Sequence, residues 1–130
     1  MEVLSSRILL APSDLAAGIA WYRDVLGLRV YREYGIDGVV SGTVFFLGGG
    51  YLELTGPRAG GPAGPTTSLW LQVDDLAAEH ARLAAAGATV AARPELMPWG
   101  LREAWIADPD GTRLCLVEVP SSHPIRRRVD

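Results

Sequence analysis

Two glutamates hold matching places in the two halves of this chain: Glu53 in Tyr51-Leu52-Glu53-Leu54 and Glu118 in Leu114-Cys115-Leu116-Val117-Glu118. A pair of carboxylates can hold a divalent metal, serve as a general base, or receive a basic group of a ligand. If both segments are strands with their glutamates facing a cleft, alternation brings Tyr51, Thr55, Leu114 and Leu116 to that face. It turns the uniformly apolar Leu52, Leu54, Cys115 and Val117 to the buried one. Four tryptophans are a high count for 130 residues, and their rings offer flat walls for stacking. Alternation from Ser68 places Trp70 and Gln72 on the cleft face. Trp99, in the loop before the seventh strand, is placed to cover the mouth. Trp21 lies on the first helix and reads as core or interface. His80 falls in register with Leu76 and Leu83 on a helix, and His123 falls in the C-terminal tail, so neither reads as a metal ligand.

The elements that must position these residues come twice. Asp14-Leu15-Ala16-Ala17 returns as Asp75-Leu76-Ala77-Ala78, an offset of 61, and Gly27 returns as Gly87, an offset of 60. A period near 60 is too long for a solenoid repeat and too short for a large independent domain, so the chain reads as one small fold of two equivalent modules. Strands are expected over 3–11, 28–34, 40–47 and 51–55 in the first module, and over 68–73, 88–92, 101–107 and 112–119 in the second. Helices over 14–25 and 75–85 carry a capping serine or aspartate at the start and a glycine at the end. Residues 93–100 read as a proline-bearing loop. Residues 56–67 hold three prolines and four glycines and read as the linker. The expected class is α+β: two β-α-β-β-β modules (3–55 and 68–120, with a tail over 121–130) forming an eight-stranded mixed sheet around a cleft.

The order of these pieces resembles the vicinal oxygen chelate superfamily, which holds glyoxalases, bleomycin resistance proteins and extradiol dioxygenases. The residues that carry the resemblance are Ser13-Asp14-Leu15, Trp21-Tyr22-Arg23-Asp24-Val25-Leu26-Gly27-Leu28, Val73-Asp74-Asp75-Leu76, Pro98-Trp99-Gly100 and Asp108-Pro109-Asp110-Gly111-Thr112 through Val117-Glu118. The match runs over about residues 3–120. Metal-dependent members take one ligand, usually histidine, from the first strand of each module and one glutamate from each last strand. The resemblance assigns the glutamates to Glu53 and Glu118 and the histidine positions to Arg7 and Ser68. A guanidinium stays protonated and repels a cation, and a neutral hydroxyl is a poor substitute for imidazole. Arg7 is instead expected between the two glutamates, in place of a cation. Family parity also turns Glu103 and Trp105 inward, with Phe45 as the first-module counterpart of Trp105. The resemblance therefore implies a metal-independent binding protein, without a cofactor, for an aromatic or cationic natural product, with antibiotic sequestration as one role. The alternative is an enzyme: a metal-dependent lyase or oxidoreductase of the glyoxalase or dioxygenase type, or a metal-free one with a pocket glutamate as base. A homodimer is the implied assembly.

Composition narrows the partners. A hydrophobic fraction of 48% with 21% charge is ordinary for a globular domain. All twelve basic residues are arginine, and with abundant Ala, Gly and Pro this points to a GC-rich bacterial genome. Residues 126–130 contribute three arginines and one aspartate, so the remaining body sets nine arginines against fourteen acids, a charge of −5. An acidic body disfavours nucleic acid as a partner. The single cysteine, Cys115, permits no internal disulfide and no cysteine-based zinc site. With no apolar stretch long enough for a membrane span and no leader pattern, no membrane partner is expected and the expected location is cytoplasmic.

Overall fold

Asp14 and Asp75 do the same job in the two modules. In the computed structural model, which describes residues 2–56 and 67–124, each aspartate is extended and its carboxylate accepts a hydrogen bond from the backbone N–H three residues on. The distances are 3.0 Å for Ala17 and 3.0 Å for Ala78. These caps start α1 (Leu15–Ala20) and α2 (Leu76–Ala85). Gly27 and Gly87 end the two helical stretches at φ of 85° and 88°, a left-handed turn that glycine makes without strain. The first helix differs from the second in running on into a π turn over Trp21–Val25, closed by Leu26 N–H donating to the Trp21 carbonyl.

By its contacts the chain divides into residues 1–63 and 64–130. The first unit has strands β1 (Arg7–Leu10), β2 (Val30–Ile36), β3 (Val39–Leu47) and β4 (Gly50–Thr55), in sheet order β1-β4-β3-β2. The second has β5 (Ser68–Gln72), β6 (Thr89–Leu96), β7 (Arg102–Ala107) and β8 (Arg113–Glu118), in order β5-β8-β7-β6. In each sheet the first strand pairs parallel with the last and the other pairs are antiparallel. The eight strands thus form two four-stranded mixed sheets, each with its own helix, in the α+β class read from the repeat. The linker, apart from Gly56 and Thr67, and the arginine-rich tail lie outside the described residues.

One face of each sheet packs on its helix. In the first unit Phe45, Leu52 and Leu54 are fully buried there with Ile19 and Tyr22. Gly18 belongs to the same contact: a Cβ on it would meet Pro12 at 2.9 Å and Leu54 at 3.3 Å. In the second unit Leu69, Ile106, Leu114 and Leu116 share the face on which α2 lies, with Leu76 and Leu83 buried against them. Burial of side chains this size stabilises by about 1.5–3 kcal/mol each.

The largest departures from the sequence reading are at two boundaries. β1 begins at Arg7 rather than residue 3, and β6 continues to Leu96 through Pro94. β6 is the last strand in its sheet order, so a residue without an N–H costs no ladder bond on the open side. The register slips between Ala92 and Glu95, where that proline sits. The β2–β3 hairpin turns on Asp37-Gly38, both at positive φ (53° and 75°), as a two-residue hairpin turn requires.

Candidate functional site

The faces away from the helices carry the polar and aromatic residues. On the second sheet the strand register lays them in three rows: Ser68, Arg113 and Ala107; then Trp70, Cys115, Trp105 and Ala92; then Gln72, Val117, Glu103 and Glu95. Trp70 and Trp105 flank Cys115 on either side, and a strand spacing of about 4.8 Å puts their backbones roughly 10 Å apart. Trp70 is half exposed. A hollow of about 340 Å³ opens on this face, with Trp105, Ser68, Thr67 and Arg113 around it. Ala91, Ala92 and Gly111, which carry little or no side chain, complete the wall.

Glu103 is nearly buried, and both its oxygens are engaged. The Trp99 indole N–H donates to Oε2 at 2.6 Å, and the Cys115 thiol donates to Oε1 at 3.7 Å. Trp99 itself is exposed, in a tight turn where Met97 N–H donates to the Leu101 carbonyl and Gly100 takes φ of 90°. Glu103 therefore fixes this loop to the sheet, and Trp99 stands outside the hollow's lining. On this same face Cys115 and Val117 form a buried apolar cluster with Leu101 and Val119, and Trp105 packs against it. Burial, and then the negative charge and hydrogen bonding of Glu103, push the Cys115 thiol up to about 12. The thiol is protonated at neutral pH and is a poor nucleophile.

On the first sheet the open face centres on Glu53. Arg7 Nη1 reaches Glu53 Oε1 at 2.5 Å, and the Tyr34 hydroxyl donates to Oε2 at 2.9 Å. The Glu53 side chain is 15% exposed and that of Arg7 42%. Tyr34 reaches across because its row neighbour is Gly42: a Cβ there would lie 2.3 Å from the phenol oxygen. Tyr31, Phe46 and Tyr51 cluster with centroids 5.0–5.9 Å apart. Arg7 lies over Tyr51, Arg29 over Phe46 and Arg32 over Tyr34, at 5.7–5.8 Å.

Two site residues expected from sequence fall elsewhere. Phe45 pairs with Leu52, not with Glu53, so it points to the helix side, wholly buried beside Tyr22 at 6.4 Å between centroids. Its neighbour Phe46 holds the open face. Glu118 shares a face with Leu116 and Leu114, and its Oε1 accepts the Leu76 N–H at 3.0 Å, at the start of α2. In pairing register Arg7 opposes Tyr51 as Ser68 opposes Arg113, so the second-module equivalent of Glu53 is Cys115. The second-module parity is one residue off from the sequence reading, which pairs Glu118 with Glu53. Glu103 and Trp105 are on the face away from α2. Arg113, Tyr34 and the first-sheet aromatic cluster are additional; an offset of 62 applied to the last strands finds Arg113, whereas nothing in the sequence signals the Tyr34 contact.

Solved structures share this architecture. TnmS3, an antibiotic binding protein from Streptomyces sp. CB03234, superposes with a TM-score of 0.77 at 23% identity, over 92% of this chain and 98% of that one. TioX from Micromonospora sp. ML1 gives 0.74 at 24% identity, over 89% and 98%. A glyoxalase/bleomycin resistance protein/dioxygenase superfamily member from Sphaerobacter thermophilus DSM 20745 gives 0.70 at 25% identity, over 90% and 98%. No curated protein matches the sequence significantly. No helix among the described residues is long and apolar enough to cross a membrane. The sequence pattern of the Glyoxalase/Bleomycin resistance protein/Dioxygenase superfamily matches residues 5–116, and the chain belongs to that superfamily.

Proposed function

We propose that the protein is a metal-independent binder of an aromatic small molecule, with the open face of the second sheet as its binding surface. The observation that carries this reading is the 340 Å³ hollow against Trp105, with Ser68, Thr67 and Arg113 at its edge. That volume is at the low end of small-molecule sites, about 300–1,000 Å³, and suits a two- or three-ring ligand. An indole wall with a few polar groups is the composition such sites use. That TnmS3 is an antibiotic binding protein supports a natural product as ligand and sequestration as the role.

Metal independence rests on donor chemistry. Of the positions where metal-dependent relatives hold ligands, Arg7 carries a permanent charge and already pairs with Glu53, and Ser68 offers a neutral hydroxyl. The equivalent of Glu53 in the second module is Cys115, whose thiol keeps its proton, and Glu118 is engaged with α2. Among the described residues no three His, Cys, Asp or Glu side chains converge. These residues do not fit a divalent cation.

A homodimer is part of the proposal. β1 is first in its sheet order and leaves Leu9 62% exposed, with Leu4 before it 90% exposed, an apolar edge that a second copy can cover. The test of function is a thermal-shift and tryptophan-quenching screen of planar polycyclic natural products, each run with and without EDTA. Saturable quenching that EDTA leaves unchanged supports the proposal. Binding that appears only after zinc or nickel is added, or no response across the panel, contradicts it.

A further inference from the structure

We infer that the hollow on the second sheet selects an aromatic acid, seating the ring on Trp105 and a carboxylate or phenolate at Arg113. This rests on the ligand-binding reading above and deepens it, because that reading leaves the charge of the ligand open. Of the seven residues that line the hollow, Arg113 is the only charged one. The ion pairs among the described residues are Arg7–Glu53, Arg23–Asp24 and Arg82–Glu79, so Arg113 has none there. Its register partner on the neighbouring strand is Ser68, and Thr67 precedes that serine. A guanidinium fork therefore has hydroxyl-bearing residues on the adjoining strand, a set that matches the two oxygens of a carboxylate.

Two of the acids close by are committed elsewhere. Glu103 is on the third row, two rows from Arg113, and spends both oxygens on Trp99 and Cys115. Asp108, before the turn that leads into β8, spends Oδ1 on the backbone N–H groups of Asp110 and Thr112. Asp110 is exposed on that turn. Cys115, one row along from Arg113, is a neutral thiol. The hollow thus offers one positive group beside an indole wall. A cationic ligand would meet repulsion there rather than the glutamates that the sequence suggests.

The test uses three ligands with one skeleton, 2-naphthoate, 2-naphthamide and 2-naphthylmethylammonium, titrated calorimetrically into the full chain at low salt. The expected order is naphthoate tightest, by about tenfold over the amide, with the ammonium weakest. Raising salt to 0.5 M weakens naphthoate and leaves the amide unchanged. Arg113→Met, which keeps the aliphatic stem, removes naphthoate's advantage over the amide and the salt dependence of its binding. Amide or ammonium binding as tightly as naphthoate overturns the inference while leaving the binding function standing. So does an anion preference that survives in a folded Arg113→Met variant. If none of the three binds while the polycyclic panel does, the inference falls and the binding function stands; if neither set binds, both fall.

Discussion

Glu118 separates two accounts of the second module. If it is a site residue, replacing it changes ligand affinity; if it supports the start of α2, replacing it changes stability. Its Oε1 lies 3.0 Å from the Leu76 N–H, while Asp75 serves the Ala78 N–H in the same turn. Glu118→Ala removes a hydrogen bond to a charged acceptor, a net contribution of about 1.5–3 kcal/mol. It also removes a negative charge from the positive end of a helix, about 0.3–1 kcal/mol, and the two effects overlap. Glu118 is partly exposed, so the lower part of the combined range applies, about 2 kcal/mol. For a chain of 130 residues that corresponds to a fall in Tm of about 5–10 °C. Glu118→Gln keeps an acceptor and loses the charge, so about half the effect is expected. Urea unfolding of both variants, with a titration of whichever aromatic ligand binds the parent, measures the two quantities together. Unchanged stability in Glu118→Ala with lost affinity refutes the helix-start role.

Further outcomes follow from the same geometry. Gly42→Ala drives a methyl to 2.3 Å from the Tyr34 oxygen and should cost about 1–3 kcal/mol by displacing that ring. Tyr34→Phe loses its hydrogen bond to the Glu53 carboxylate, about 1.5 kcal/mol, and a Gly42→Ala variant with unchanged stability in thermal melts would refute the close approach. Phe45→Ala should cost about 3–5 kcal/mol as a core cavity; a folded variant with near-native stability and altered ligand affinity would return Phe45 to the site. Cys115 has a folded pKa of about 12 against an ordinary 9. The native state thus holds that proton more tightly than the unfolded chain, and its contribution is complete below about pH 9 and is lost as pH rises towards 12. Iodoacetamide at pH 8.5 should label native protein far more slowly than urea-unfolded protein. Sedimentation at tens of micromolar should give a dimer, and a monomer would contradict the edge argument.

The fold was legible because its signals are local. Asp14 and Asp75 cap their helices, Gly27 and Gly87 end them, and the spacing between copies requires two like modules whatever the tertiary packing. The face a residue takes was legible where alternation could be carried along a single strand, as for Trp70 with Ser68. It failed where parity had to be carried between strands. Glu118 ends an apolar run as Glu53 nearly does, and sequence alone does not tell that one faces its helix and the other faces away. Phe45 and Phe46 are adjacent, so a one-residue error exchanges core for surface. Pro94 suggested a loop, since the edge position that tolerates it is a property of the sheet. The Tyr34–Glu53 contact depends on an empty position at Gly42, on the strand that lies between those two residues, which no local pattern encodes.

The central claim is that an aromatic ligand binds on the open face of the second sheet. Indole ¹⁵N resonances resolve it residue by residue, since the four tryptophans are Trp21, Trp70, Trp99 and Trp105. On titration with 2-naphthoate or the tightest aromatic hit, the Trp105 indole signal should shift most and Trp70 next, with Trp21 unmoved on its helix. Shifts confined to Trp21, or binding that leaves Trp105 unmoved, would contradict the account.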